Sequence, residues 1–427
     1  MANTSTLDKG NLYRLPWSMN DNPIGWIEVT DICNIHCEGC YRLILGDGHK
    51  PLQQIKEEIL FLKKWRNCDG ISLAGGEPFL HPAIIEIIQF ITDNGMKSVM
   101  LTNGYALNEE KLINLRKAGL TGLSFHVDST QTRPEFNKEK IENEAQLNDL
   151  RLKFAKLVKK CGISYAHFGM TVNRNNLVEV PDFIKWAIDN VDYVNGVSLI
   201  TYRGLPDLDG LEYCTDKGNN VSVNANTLGY AFPAETMNIA NVPSQEVYSM
   251  IKKHFPGYEA TSYLGGTMDH TSFKWLIGNL ITNNNGHIFG AYGKKTMEWV
   301  QVMHHILKSK YLVYPRMKLG KNIFFMSFFD KEVRKAFKNY LLYCLANPVR
   351  FFHPVKAMGV GVIQGPDILP DGTVDMCDDC PDMCVHEGKL VNSCRLDECR
   401  KFGSMLHMHV NSDNAREILT EHHQHGK

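Results

Sequence analysis

The chain has 427 residues, 43% hydrophobic and 22% charged, with a formal net charge of −1. This composition excludes a wholly disordered chain and supplies a core of useful size; the near-neutral charge excludes a global field that would steer it to nucleic acid, so no nucleic-acid partner is expected. No stretch approaches the roughly 20 apolar residues of a membrane span, and MANTSTLDKGNLYRLPW lacks the basic-then-apolar pattern of a secretory signal. Twelve cysteines without such a signal point to metal ligands in a reducing compartment rather than disulfides, and a cytoplasmic location is expected.

Residues 1–21 read as a polar leader. Strands are predicted at 25–31, 70–75, 97–103, 122–128, 165–173 and 195–202. Between them, helical spacing of apolar residues marks 51–65, 81–95, 108–119 and 180–190, and a long polar helical stretch runs through Lys160. Six strand–helix repeats imply an α/β fold with a parallel sheet covered by helices, as either an incomplete barrel or an open doubly wound sheet. In both, ligand sites lie at the carboxyl ends of the strands. Residues 203–300 are Gly- and Asn-rich, with a helix predicted at 244–255. Residues 304–356 carry eleven Lys/Arg against two Asp/Glu, with eleven aromatic residues. Residues 371–399 are acidic and cysteine-rich, and the final EHHQHGK reads as a mobile tail.

The first strand runs directly into Cys33, Cys37 and Cys40, a C-x3-C-x2-C arrangement. Three thiolates in eight residues can converge on one small object. Iron–sulfur clusters usually take four, so three local ligands leave one iron open, as catalytic metal sites require. The second strand ends in Gly75-Gly76-Glu77-Pro78, where glycines permit close backbone approach. Read without chemistry, the first motif is a zinc knuckle and the second a turn opening a helix with proline at its start.

Both motifs, in order at the ends of consecutive strands, resemble the radical S-adenosylmethionine (AdoMet) superfamily over residues 22–203. The resemblance implies a partial (β/α)6 TIM-like barrel with a 4Fe–4S cluster held by Cys33, Cys37 and Cys40. AdoMet would chelate the open iron, and one electron from a flavodoxin- or ferredoxin-type reductant would cleave it to methionine and a 5′-deoxyadenosyl radical. That radical would take hydrogen from a substrate. Gly75, Gly76, Glu77 and Pro78 would orient AdoMet, with the glutamate region accepting from its ammonium. Asn103, Asp128 and Asn173, at later strand ends, would meet its ribose and carboxylate. Each of these is equally a helix cap or turn residue, and Arg133 reads as solvated. The chain departs from the family in having Gly39, not a bulky residue, before the third cysteine, with Tyr41 after it.

Cys377, Cys380, Cys384, Cys394 and Cys399 form C-x2-C-x3-C-x9-C-x4-C after a strand and a turn at Pro370-Asp371-Gly372. "PDG" followed by a cysteine is similar to the start of SPASM or twitch extensions, which implies an auxiliary 4Fe–4S cluster; four thiolates suit zinc as well. Five cysteines exceed one cluster's need, and Cys344 is an outside candidate. Cys68, Cys161 and Cys214 read as buried apolar residues.

The expected layout is a leader at 1–21, a barrel at 22–203, a cap at 204–364, a cysteine-rich subdomain at 365–402 and a tail at 403–427. The basic aromatic segment reads as an amphipathic cap packed on the barrel, or as a surface that meets a membrane or admits a lipid chain. The expected substrate is hydrophobic or lipid-like, since the layout loosely resembles radical enzymes that join or modify lipid chains. The alternatives are a SPASM-type peptide-modifying enzyme and a non-enzymatic zinc-binding interaction protein. Only 24 residues precede the first predicted strand, which disfavours the winged-helix leader-binding domain that many peptide enzymes carry.

Overall fold

The predicted alternation builds one curved sheet. The computed structural model describes residues 7–42, 48–236, 239–240, 242–315 and 320–424; the first six residues of the leader and the last three of the tail lie outside these. Strands β1 (Ile24–Thr30), β2 (Gly70–Gly75), β3 (Lys97–Thr102), β4 (Gly122–His126), β5 (Tyr165–Val172) and β6 (Gly196–Thr201) lie side by side in chain order, every pair parallel. Helices α1 (Leu52–Arg66), α2 (Ile84–Asp93), α3 (Glu109–Lys117), α4 (Asn148–Lys160) and α5 (Val180–Asp189) make the crossovers. In α2 the buried residues are Ile84, Ile87, Ile88 and Ile91, one face at helical spacing. All seven residues of β1 are buried, as in a sheet covered on both sides. The polar stretch before Lys160 is helical only from Asn148 (α4); before it runs a loop with short 3-10 turns, because Asn143 and Pro134 start turns rather than a continuous helix.

The sheet does not end at residue 203. Strand β10 (Val355–Gln364) pairs parallel with β6; β8 (Phe273–Asn283) runs antiparallel to β10, and β7 (Ala260–Gly265) and β9 (Ile288–Ala291) flank β8. The described part of the leader joins this sheet and core: Tyr13–Arg14 pairs with β7, while Leu15 and Trp17 are buried. The result is an eleven-stranded sheet whose ends, Tyr13–Arg14 and β1, do not pair with each other among the described residues, a partial TIM-like barrel rather than a closed one. One hydrophobic core runs from Leu12 to Val362, so residues 204–364 share the barrel's core as well as capping it.

Helices α6 (Ser244–His254), α7 (Lys294–Lys308) and α8 (Lys331–Leu345) pack around the added strands, and α9 (Leu396–Phe402) follows the cysteine-rich hairpin. The tail forms helix α10 (Asp413–Gln424), anchored by buried Ala415 and Leu419 in a second core with residues 205–232. No helix among the described residues is long and apolar enough to cross a membrane.

Candidate active site

The loop after β1 carries the three cysteines. His36–Cys37 forms a two-residue antiparallel ribbon with Gln131–Thr132, from the loop after β4. Gly39 takes φ +68°, and a Cβ there would stand 2.1 Å from the Tyr202 ring, so glycine is required where the family pattern has a bulky residue. The Asn103 amide donates to Cys33 Sγ at 3.8 Å and the Gln131 amide to Cys37 Sγ at 3.6 Å. Burial pushes all three thiols up, Cys40 to about 11, and neighbouring sulfurs raise Cys37 and Cys40 further. Buried sulfurs that repel each other, each met by N–H donors, suit thiolates neutralised by a cationic centre. These residues therefore fit an iron–sulfur cluster.

The GGEP turn is built into the same loop. Gly76 N–H donates to Thr30 O and Glu77 N–H to Ile32 O, both at 2.8 Å. Gly75 has φ +122°, and a Cβ on Gly76 would fall 2.2 Å from Ile32 O. Pro78 opens a 3-10 turn. Glu77 is fully buried, and its carboxylate accepts from Phe79 N–H (3.0 Å), the Thr102 hydroxyl (2.8 Å) and Asn103 N–H (2.8 Å). It braces β2 against β3 and does not line the cavity; the backbone of Gly75 and Gly76 does.

That cavity has a volume of about 1600 Å3 and takes in Cys33, Cys37, Cys40, Gly75, Gly76 and Asn103. It exceeds the about 300–1,000 Å3 of ordinary ligand pockets. Barrel interiors are usually filled by bulky branched residues; here Ser72, Ser124, Gly169, Ser198, Gly359 and Gly361 leave the lumen open. Along β5 the lining runs from Tyr165 to Thr171, ~20 Å of strand. At the far, amino-terminal end of the strands the cavity is bounded by Leu312–Pro315, with Tyr314 bonded to Ser72 at 2.5 Å.

Asp128 and Asn173 stand one step behind the cavity wall. Asp128 is fully buried and accepts from Thr130 N–H, the Thr130 hydroxyl, Thr171 N–H and His126 Nε2. Burial works to raise its pKa, but the His126 charge and these bonds hold it well below the usual carboxylate range. Asn173 accepts from the Asn175 and Asn176 N–H groups. Their neighbours His126 and Thr171, bonded to each other at 3.0 Å, are the groups that line the cavity. Arg133 is fully buried rather than solvated, because it binds Gln131 Oε1, Asn103 O and Glu135. His126 falls in the strand predicted at 122–128, whereas Asn34 and Gln131 carry no local motif; their only signal is that each follows a parallel strand.

The C-terminal cysteines divide. Cys377, Cys380 and Cys394 lie close enough to act on one another electrostatically. The Cys377 side chain opposes the effect of burial and draws the Cys380 thiol below its ordinary value. Cys394 and the neighbouring Asp382 line the cavity. Cys384 instead lies within a hairpin, Met383–His386 with Lys389–Asn392, packed with Trp26 and Leu396. Cys399 faces Glu398, Arg395 and Asp216. The structure thus gathers three of the five. Cys344 lies on the buried face of α8 in a separate core, and Cys68, Cys161 and Cys214 are buried. Among the described residues no three His, Cys, Asp or Glu side chains close tightly enough for a single metal ion; ligand sulfurs around a cubane stand farther apart than those around one ion. Arg42, buried, joins Asp31 (2.7 Å) on the cluster loop to Asp397 (2.6 Å) on α9, so the two cysteine regions are locked together.

Residues 27–187 match the model of the Radical SAM superfamily. A relative, the 7,8-dihydro-6-hydroxymethylpterin dimethyltransferase of Methanocaldococcus jannaschii, is 30% identical over 190 residues, 42% of this chain and 37% of that protein. The chain thus spans little more than a third of that relative's length. Among solved structures, SuiB of Streptococcus suis aligns over 44% of this chain and 41% of its own, at 16% identity and TM-score 0.35. Coproporphyrinogen III oxidase (HemN) of Escherichia coli aligns over 56% and 54%, at 14% identity and TM-score 0.35.

Proposed function

We propose that this chain, whose residues 27–187 match the model of the Radical SAM superfamily, generates a radical from AdoMet at the mouth of its barrel and directs it at a long hydrophobic substrate. A 4Fe–4S cluster, when bound, supplies the electron that cleaves AdoMet. Cys33, Cys37 and Cys40 would hold it, the Gly75–Gly76 backbone carbonyls would accept from the AdoMet ammonium, and Asn103, His126 and Thr171 would orient the rest. Glu77, Asp128 and Asn173 are positioning residues: they fix the loops from which those groups project. The electron would come from a flavodoxin- or ferredoxin-type reductant. Cys377, Cys380 and Cys394 would hold an auxiliary cluster at the cavity's edge.

The observation that carries this reading is a single cavity that begins at the three cysteines and continues through an open lumen walled by Phe125, Ile200, Trp275 and Ile277. Radical chemistry at an unactivated C–H bond needs positioning and exclusion of water more than acid–base groups. A long lumen open from the cysteines along the strands gives both to an extended chain. The test is anaerobic incubation of the reconstituted protein with AdoMet, a reductant and perdeuterated acyl or isoprenoid chains. Deuterium is expected in 5′-deoxyadenosine. Its absence with every chain tried, while AdoMet is still cleaved, contradicts the hydrophobic substrate and leaves the radical step standing.

A further inference from the structure

The basic aromatic stretch splits in two in the fold. Phe324, Val333, Ala336, Tyr340 and Cys344 pack inward beneath β9. A second set is left in solvent: Phe328 is 73% and Phe352 87% exposed, and Phe325, Phe329, Leu345 and Val349 are exposed as well. The Phe325 and Phe328 rings meet edge to face, 5.9 Å apart. On α8 the exposed positions Lys331, Lys335, Lys338, Leu342 and Leu345 follow one helical stripe, cationic at its start and apolar at its end. Exposed apolar surface on this scale marks an interaction site rather than ordinary surface. Phe325 and Trp299, both exposed, also line the cavity, at the end away from the cysteines.

We propose that this face docks on a bilayer surface rich in anionic headgroups, and that the lumen opens toward it. Charge complementarity selects the occupant. Aromatic and aliphatic side chains beside a row of lysines match an apolar interface under negative headgroups, where basic residues are attracted and aromatic rings settle. A hydrocarbon chain would then enter the barrel from its amino-terminal end and meet the radical at the other. The entry of substrate rests on the function proposed above; the docking does not.

The test is flotation of the reconstituted full-length protein with phosphatidylcholine vesicles, with and without phosphatidylglycerol, at low and high salt. Two variants accompany it, Phe328→Glu with Phe352→Glu, and Lys331→Glu with Lys338→Glu. The wild type is expected to float with anionic vesicles at low salt, and about tenfold less with neutral vesicles, at high salt or in either variant. Both variants should keep their cluster absorbance and their cleavage of AdoMet without vesicles, which separates lost docking from misfolding. No flotation with anionic vesicles at low salt overturns the proposal. So does flotation unaffected by the phenylalanine changes. So does a dimer in sedimentation equilibrium that Phe328→Glu dissociates, which would show a second copy covering the face. Flotation without deuterium transfer leaves the docking standing and removes the hydrophobic substrate; transfer without flotation does the reverse.

Discussion

Asn103 and Gln131 each aim a side-chain amide at a cysteine sulfur. Hydrogen bonds to sulfur help set the potential of an iron–sulfur centre. Gln131→Leu is therefore expected to make the cluster harder to reduce, by on the order of tens of millivolts, in a potentiometric titration followed by EPR; an unchanged midpoint would count against the assignment. Gly76 offers a steric test. A Cβ there meets Ile32 O at 2.2 Å, so Gly76→Ala must displace the backbone just before Cys33. A misplacement of about 1 Å can cost about 100-fold in rate, and AdoMet cleavage per bound iron should fall on that scale. A rate within a few-fold of wild type would contradict the close packing of the two loops. At this scale the sequence reveals which loops form the site but not which side chains face it. Glu77, Asp128 and Asn173 are all residue types that satisfy nearby backbone N–H groups, and each does so here. The cavity is left to neighbours whose role no local pattern announces.

Among the elements, strand β8 is tied to the C-terminal region by buried charge. Lys274, at the start of β8, is fully buried between Asp367 (2.6 Å) and Asp375 (2.9 Å), and Arg203 pairs with Asp367 at 2.9 Å. Lys274→Met leaves two buried carboxylates short of a cation and should cost about 3–5 kcal/mol, read from urea unfolding. A loss under about 1 kcal/mol would mean the network is solvated. Burial alone would raise the Asp367 pKa, but the Arg203 and Lys274 cations hold it well below the ordinary range. A carboxylate held low stabilises the fold above its unfolded pKa of about 3.9 and loses that contribution as pH falls toward the folded value. The stability gap between wild type and Asp367→Asn should thus shrink below about pH 4; a gap constant through that range contradicts the pairing. The first six strands were legible because each is short and bounded by turns, and helices alternate with them. β8 was not: bulges and an internal Gly-Asn break its period-two alternation. The Tyr13–Arg14 strand is only two residues long and becomes a strand through its partner β7.

For the whole molecule, the two cysteine regions and the lumen form one unit, since the Asp31–Arg42–Asp397 ion pairs span them. If Cys377, Cys380 and Cys394 hold an auxiliary cluster, the anaerobically reconstituted protein should contain about eight irons with matching sulfide. Cys380→Ala should reduce this to about four, and Cys384→Ala should leave it at eight. About four irons plus one zinc in the wild type would assign the C-terminal site to zinc instead. Cysteine spacing alone could not separate Cys380 from Cys384, because only the hairpin turn at Glu387–Gly388 sends Cys384 into the core. The central claim, radical formation at the first cluster, is tested most directly by chromatographic detection of 5′-deoxyadenosine from AdoMet under strict anaerobiosis with a strong reductant. Wild-type protein should form it together with methionine, and Cys37→Ala, with its fold intact by circular dichroism, should form none. Equal formation by the Cys37→Ala protein, or none by a wild type carrying its full iron, would contradict the account.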